Sequence, residues 1–423
     1  MKENLLQFVW KLKMFSTQKL LSTKGETIEI ISAGTENLNS GPDFFNGKIS
    51  INNQIWVGNI EIHLKSSDWY NHHHEKDDRY NNVILHVVWE HDVEVFRNLN
   101  EVITTIELKD IVSENVLKKY RELFKSTKKW INCENNIDSI NSFILNYFFE
   151  QLYCERLEEK SKVIECELKK SNNNWEEVLF KLLAKNFGLK VNGEAFFNLA
   201  NTINYATVRK VSLNGFQLEA LLFGQAGLLF ELKESNYFLD LKKEYEYLKA
   251  KFSLEPLNKG QIQFFRLRPS NFPTIRISQL VQLYLKEQQL FSKVIAIKNV
   301  DEYYKLFSVQ TSEFWDTHFT FEKESKKHVK KLTNSFIDLL LINTIIPIKF
   351  MYFKKMGNIN FNEILSLIQE LKPEKNTIIS NFNQLNIQSK SAFETQALLQ
   401  LKTEYCNNLK CLNCAVGKEL LTG

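Results

Sequence analysis

Between residues 41 and 92 the chain gathers the side chains that do acid–base and metal chemistry. Asp43 follows Gly41-Pro42; Glu61, His63 and Lys65 alternate through Trp56-Val57-Gly58-Asn59-Ile60-Glu61-Ile62-His63-Leu64-Lys65; Asp68-Trp69, the run His72-His73-His74 and Asp77 come next. Six of the eight histidines precede residue 92, so chemistry is expected here. Residues spaced by two in a run of strand formers share one face, which puts Glu61, His63 and Lys65 together and leaves Ile60, Ile62 and Leu64 for the core. Asp43 lies 18 residues before Glu61, in a run from Pro42 to Ile51 that reads as the neighbouring strand, joined through the turn Asn52-Asn53. Two carboxylates meeting in this way offer oxygen ligands to Mg2+ or Mn2+, and such an ion polarises a phosphoryl oxygen and lowers the pKa of bound water. His63 or Lys65 is the group expected to orient that water. His72, His74 and Asp77 are candidate imidazole and carboxylate ligands that extend or tune the site. The bland reading of the same run is a solvated loop.

These residues need particular elements to position them. Apolar spacing predicts a helix over Asn4 to Phe15 and a strand over Thr27 to Ile31. The two strands already described come next, then a polar stretch from Ser66 to Tyr80 and an apolar strand from Val83 to Trp89. His86 falls inside that last strand and reads as a hydrogen-bonded core residue. His91, His318 and His328 have no constellation around them. In this order the segment resembles the PD-(D/E)XK nuclease superfamily, which carries Asp on the second strand of its core and Glu-x-Lys on the third. The resemblance implies a nuclease-like mixed sheet, with Asp43 and Glu61 as metal ligands. The departure is His63 where that superfamily usually has lysine, so Lys65 or Lys48 would have to supply the missing cation.

From about residue 112 the apolar period lengthens to near 3.6, which predicts an all-helical body. The helices read there are Phe143 to Leu168, Trp175 to Phe187, Gly215 to Lys233, Leu239 to Phe252, Ile277 to Leu290, Val300 to Leu306, Asn334 to Ile345, Phe361 to Leu371 and Phe393 to Tyr405. The expected fold is α+β: a small N-terminal α/β nuclease-like domain over residues 1–110, then a large helical domain over 111–423 that ends in a cysteine cluster. Cys406, Cys411 and Cys414 form C-x4-C-x2-C. With Cys133 they make a candidate four-thiolate set for an iron–sulfur cluster or Zn2+, and the alternative is a group of reduced, partly buried thiols. Cys154 and Cys166 read as core residues on a helix face.

Charge is unevenly divided. Residues 1–110 hold 11 Lys and Arg against 16 Asp and Glu, and the remainder holds 43 against 34, so an acidic segment precedes a basic one. That polarity suits a polyanionic substrate such as DNA or RNA, though ordinary solubility produces it too. Arg266, Arg268 and Arg276 flank Pro269 and Pro273 in a stretch that cannot be regular helix, and they are the candidate substrate-binding residues. Lys326, Lys327, Lys330 and Lys331 sit at helical spacing and read as a solvated face. No run of 18 uninterrupted apolar residues occurs, and Gln7, Lys11 and Lys13 break any leader-like apolar stretch, so no membrane partner and a cytoplasmic location are expected.

Over its whole length the chain resembles an uncharacterised bacterial domain-of-unknown-function family. The resemblance rests on Gly41-Pro42-Asp43-Phe44, Ser66-Ser67-Asp68-Trp69, the run from Tyr80 to Val88, Leu221-Leu222-Phe223-Gly224-Gln225-Ala226-Gly227, the run from Arg266 to Thr274, and the terminal cysteines. It implies shared architecture and supplies no activity. From the residues themselves, the leading expectation is a metal-dependent nuclease acting on DNA or RNA phosphodiesters. The alternatives are a non-catalytic nucleic-acid- or protein-binding scaffold and a histidine-based zinc hydrolase.

Overall fold

Asn52 and Asn53 both take positive φ, 46° and 69°, the left-handed pair a two-residue hairpin needs if its turn is to match the twist of the flanking strands. In the computed structural model, which describes residues 2–97, 100–125, 129–231, 233–358 and 360–423, this turn joins β3 (Phe44–Ile51) to β4 (Gln54–Lys65). Preceding them are α1 (Glu3–Lys11), β1 (Ile28–Ser32) and the short β2 (Thr35–Glu36). Following them are α2 (Asp68–Asn71), β5 (Val83–Glu90), β6 (Thr105–Glu107) and α3 (Glu114–Phe124). The sheet runs β1-β3-β4-β5-β6 with β2 beside β3. Its β1-β3-β4 part is antiparallel, whereas β4-β5 and β5-β6 are parallel.

The mixed sheet follows from the connections. A tight turn reverses β3 into β4, but β4 and β5 are parallel and need a crossover, and the polar stretch from Ser66 to Asn82 supplies it. β5 is buried along its first six residues, the continuous apolar pattern of a strand covered on both faces. One face packs on α1: Leu5, Leu6, Val9 and Trp10 join Ile60, Ile62, Leu85 and Val87 in a single apolar cluster. The crossover side holds a smaller cluster of Trp69, Tyr80, Val83, Val95 and Ile103. Alternation along β4 and β5 therefore turns Glu61, His63 and His86 away from the α1 cluster.

The chain divides into two compact units, one of Met1–Phe148, Gln384–Ile387 and Leu401–Gly423, the other of Phe149–Asn383 and Gln388–Gln400. The fold is α+β, with the sheet in the first unit and helices making up most of the second. In the first unit, α3 packs with the C-terminal helix Ala415–Thr422, and Leu412 and Leu421 enter the same apolar cluster as α1.

Several elements differ from the sequence reading. The first helix stops at Lys11 because Lys13 takes a positive φ of 51°, and Phe15 instead bridges Val112. β6, a three-residue strand, has too little period to be read from sequence. Trp175–Phe187 and Val300–Leu306 form as expected. The helix expected over Gly215 to Lys233, whose residue 232 lies outside the described residues, ends at Gln225, where Gly227 at φ 71° closes it with a bond from Leu228 N to Phe223 O. Beyond Asn334–Leu340 the chain continues as helix to Lys355 through a π turn at Leu341–Ile345. That widened turn tolerates Pro347, which a regular helix interior would exclude. Residues 326–331 are extended rather than helical. Lys330 is buried there, donating to the carbonyls of Trp315 and Asp316, so these lysines are not one solvated face. Cys166 is exposed and is not a core residue. Among the described residues one helical stretch, Asn334–Lys355, has the length and hydropathy of a membrane span, and 72% of its apolar window is buried inside the molecule.

Gly58 is where β4 meets β5 most closely: a Cβ there would lie 2.4 Å from Ile84 Cγ2 and 2.7 Å from the Asn82 carbonyl oxygen. Gly58→Ala is expected to destabilise the first unit by about 1–3 kcal/mol, the usual cost of overpacking. Chemical denaturation should show this as a lower midpoint at unchanged slope; an unchanged midpoint would contradict the packing described.

Candidate functional site

Glu61 is buried on β4, and its two oxygens look in different directions. Oε2 accepts a hydrogen bond from the Asp43 backbone N–H at 3.0 Å. Oε1 lies 3.4 Å from His63 Nε2 and 3.3 Å from His74 Nε2. Asp43, just before β3, is held by neutral donors: Gln7 on α1 donates to Oδ1 at 2.8 Å, and the Ile62 N–H donates to Oδ2 at 3.0 Å. The carboxylates thus share a strand junction, and among the described residues no Lys or Arg pairs with either.

The imidazoles form a chain. His63 Nδ1 pairs with His86 Nε2 at 2.9 Å, and His63 Nε2 pairs with His72 Nδ1 at 3.1 Å. His63, His72 and His74 each present a nitrogen within 4.8 Å of the others, close enough to share one cation. The crossover makes this possible. Asp92 accepts from Ser66 Oγ, Ser67 N and Ser67 Oγ, fixing the exit from β4, and Trp69 Nε1 donates to the Phe96 carbonyl. His73 then takes a left-handed φ of 59°, which carries the chain round so that His72 and His74 both reach the site while His73 stays exposed. His74 stacks on Tyr80 with ring centroids 3.8 Å apart.

The electrostatics follow from burial. Desolvation and then the charge of Glu61 push Asp43 up to about 7. Glu61 rises to about 8, again mainly by desolvation, with the Asp43 N–H opposing. Burial, reinforced by His74 and His72, drives His63 down to about 3; His86 falls well below its ordinary value and His74 falls as well. A cluster of neutral imidazoles around carboxyls that hold protons has the donor atoms of a metal centre in their uncharged forms.

The sequence-derived residues divide as follows. His63, His72 and His74 form the trio, Glu61 lies within 3.4 Å of two of them, and Asp43 meets Glu61 through its backbone N–H. Lys65 is exposed, and its backbone N–H donates to Asp68. Asp77 is bonded to Arg79 through both carboxylate oxygens, which holds it down to about 2. In the second unit Arg276 is buried, donating to Gln279 Oε1 at 2.8 Å and Asn271 Oδ1 at 2.6 Å, with its guanidinium 3.7 Å from the Phe336 ring centroid. Arg268 lines a pocket with His328 and Lys331, and Arg266 is exposed over the Phe265 ring. Cys133, Cys406, Cys411 and Cys414 line one pocket of the first unit. Burial pushes Cys133 up to about 12 and Cys414 up to about 11.

Sequence reasoning missed Gln7 and Glu3. Glu3 is near enough for Asp43, His72 and His74 to act on its charge. The available signal was their spacing of four on α1, which places both on one helix face. His86 was read as a buried, hydrogen-bonded residue, and the structure adds that its partner is His63.

A family model described as "Protein of unknown function (DUF2851)" matches residues 3–377, and the chain belongs to that family. No curated protein and no solved structure matches it.

Asp43 and Glu61 hold protons in the fold to about pH 7 and 8, whereas their ordinary values are 3.8 and 4.5. The fold therefore binds more protons than the unfolded chain in that interval. Its stability from this source is present on the acid side and is lost as pH rises through 7 to 8. The buried imidazoles act in the opposite direction below their ordinary value of 6.5, so the carboxyl effect is read cleanly above it. In chelator, the melting temperature of the wild type should fall between pH 6.5 and about 8.5, and that of Glu61→Gln should fall less. Parallel curves would show that Glu61 is not a protonated buried acid.

Proposed function

We propose that the first unit is a divalent-metal-dependent phosphodiester hydrolase of nuclease type, acting on DNA or RNA. The observation that carries this reading is the position of Glu61, one oxygen toward the Asp43 backbone and the other toward two imidazoles of a three-histidine group. Supporting it are the antiparallel hairpin followed by a parallel strand, and the placement of Asp43 before β3 and Glu61 on β4.

Asp43, Glu61, His63, His72 and His74 would hold the metal, which when bound supplies Lewis-acid activation of the phosphoryl group and a more acidic water. Mixed imidazole and carboxylate donors favour Mn2+ over Mg2+, which prefers oxygen ligands and keeps several waters. With a metal on His63 Nε2, the His63 Nδ1–H would donate to His86 Nε2, 2.9 Å away, and hold the ring in that orientation. His72 is exposed and stands at the mouth, where it can orient incoming water. Lys65 is left to interact with the phosphate backbone rather than with the reacting centre. A nucleic-acid substrate agrees with the cytoplasmic location expected from the sequence.

The imidazole trio also favours a second reading, a zinc hydrolase acting on esters other than nucleic acid. One set of assays separates the readings. Full-length protein with Mn2+ should cut labelled single- or double-stranded DNA or RNA. Asp43→Ala and Glu61→Ala should each reduce cutting by at least about 100-fold, the upper end of what outer-shell changes alone cost, while filter binding is retained. Undiminished cutting by both variants rejects the assignment. Stoichiometric zinc with turnover of simple esters and none of nucleic acid selects the second reading, and binding without hydrolysis leaves a scaffold.

A further inference from the structure

The first unit contains another ligating group, built from thiols. Cys133 follows α3, and Cys406, Cys411 and Cys414 come from a stretch that begins 273 residues later. All four line one pocket together with Leu123, Ile137 and Leu401, and all four are free of disulfides. Cys411 and Cys414 both act electrostatically on Cys133 and Cys406, and Cys133 acts on Cys406, so the sulfurs are near neighbours in that pocket.

We propose that Cys133, Cys406, Cys411 and Cys414 ligate a [4Fe–4S] cluster that fastens the C-terminal segment to the region after α3. Four thiols converging from distant stretches are a closed ligand set of the kind iron–sulfur clusters or structural zinc use. Sulfur spacing favours the cluster. A tetrahedral zinc with bonds of ~2.3 Å holds its thiolates about 3.8 Å apart. Among the described residues the imidazoles form a trio within 4.8 Å, and no three of these sulfurs do. A cubane, with an iron at each of four corners, separates its thiolates more widely.

The surroundings suit an anionic centre. Cys414 is the residue that precedes the helix Ala415–Thr422, and the backbone N–H groups of Val416 and Gly417 lie on the side of its sulfur, where they favour the thiolate. Asn132 Nδ2 donates to Cys411 Sγ at 3.6 Å. Such N–H···S bonds are the usual means of tuning a cluster. Lys129, Lys402 and Lys418 are near enough to act on the thiolate charge. Gly417 packs so closely on the Cys411 carbonyl that a Cβ would lie 2.0 Å from its oxygen, which ties the cysteine loop to the helix. On assembly each thiol releases its proton to solvent as its sulfur bonds iron, and ferrous and ferric ions in equal number combine with sulfide to give the [4Fe–4S]2+ core without net electron transfer. This site stands or falls independently of the hydrolase reading.

The test is the full-length chain purified without oxygen from iron-supplemented cells. The expected result is about four iron and about four acid-labile sulfide per chain, with the broad visible absorption of thiolate-bound iron. Cys411→Ser should lose that absorption, and Cys166→Ser, whose thiol is exposed in the second unit, should keep it. Should Cys411→Ser fail to fold, the wild-type iron and sulfide content decides alone. Stoichiometric zinc without sulfide, a metal-free protein with four free thiols, or equal loss in both variants would overturn the proposal.

Discussion

A carboxylate buried away from any fixed cation has two ways to be stable, by keeping its proton or by binding a metal. Glu61 is 5% exposed, and among the described residues its neighbours at ion-pair distance are imidazoles. That single constraint organises the rest of the first unit. It explains why the Asp43 N–H points at Glu61, and why Asp43 is satisfied by an amide from α1 and a backbone N–H rather than by a lysine. It also explains why the crossover delivers histidines and not cations to this end of the sheet. A fold that needed only stability would gain as much from an apolar side chain at position 61, flanked as it is by Ile60 and Ile62 in the core.

How much of this was legible in the sequence depended on the kind of order involved. Alternation on β4 fixed the face of Glu61 and His63, and the Asn52-Asn53 doublet fixed the hairpin, because both are local rules of backbone geometry. The strands read at Thr27–Ile31 and Val83–Trp89 followed for the same reason, whereas the two-residue β2 carries too little pattern to be read. The choice of groups that the crossover brings to the site was not local. Asp77 was read beside His72 and His74 as a candidate ligand, yet Arg79 two residues on draws Asp77 aside, while the left-handed turn at His73 swings His72 and His74 inward. Gln7 lies 36 residues from the carboxylate it supports, and no pattern in α1 names its partner.

In the helical part, periodicity found the long amphipathic helices, and their ends were where it failed. Gly227 stops one helix early, and a π turn lets another pass Pro347, because termini depend on single residues and hydrogen-bond register rather than on a stripe. Arg276 illustrates the matching problem for function. Its position beside two prolines suggested a binding arginine, whereas the fold buries it against the Phe336 ring with the side-chain amides of Gln279 and Asn271 as acceptors. Arg268, by contrast, is exposed and lines a pocket with Lys331.

The two ligating groups of the first unit differ in chemistry in a way that would sort metals between them. Imidazole and carboxylate donors suit ions of intermediate hardness, whereas four thiolates select softer or cluster-forming metals. Each group also closes a different gap in the chain. The nitrogen and oxygen donors come from residues 43 to 74 and need only the hairpin and crossover to assemble. The sulfurs unite Cys133 with a segment beyond the range matched by the family model, yet that segment packs into the same unit and lends Leu412 and Leu421 to its core. Closing so long a stretch of chain carries a loop-closure entropy that rises only slowly with length, so a few strong bonds at the junction outweigh it. The apolar contacts of α3 with the C-terminal helix supply part of that compensation without any metal, and ligation at the cysteines would add to it.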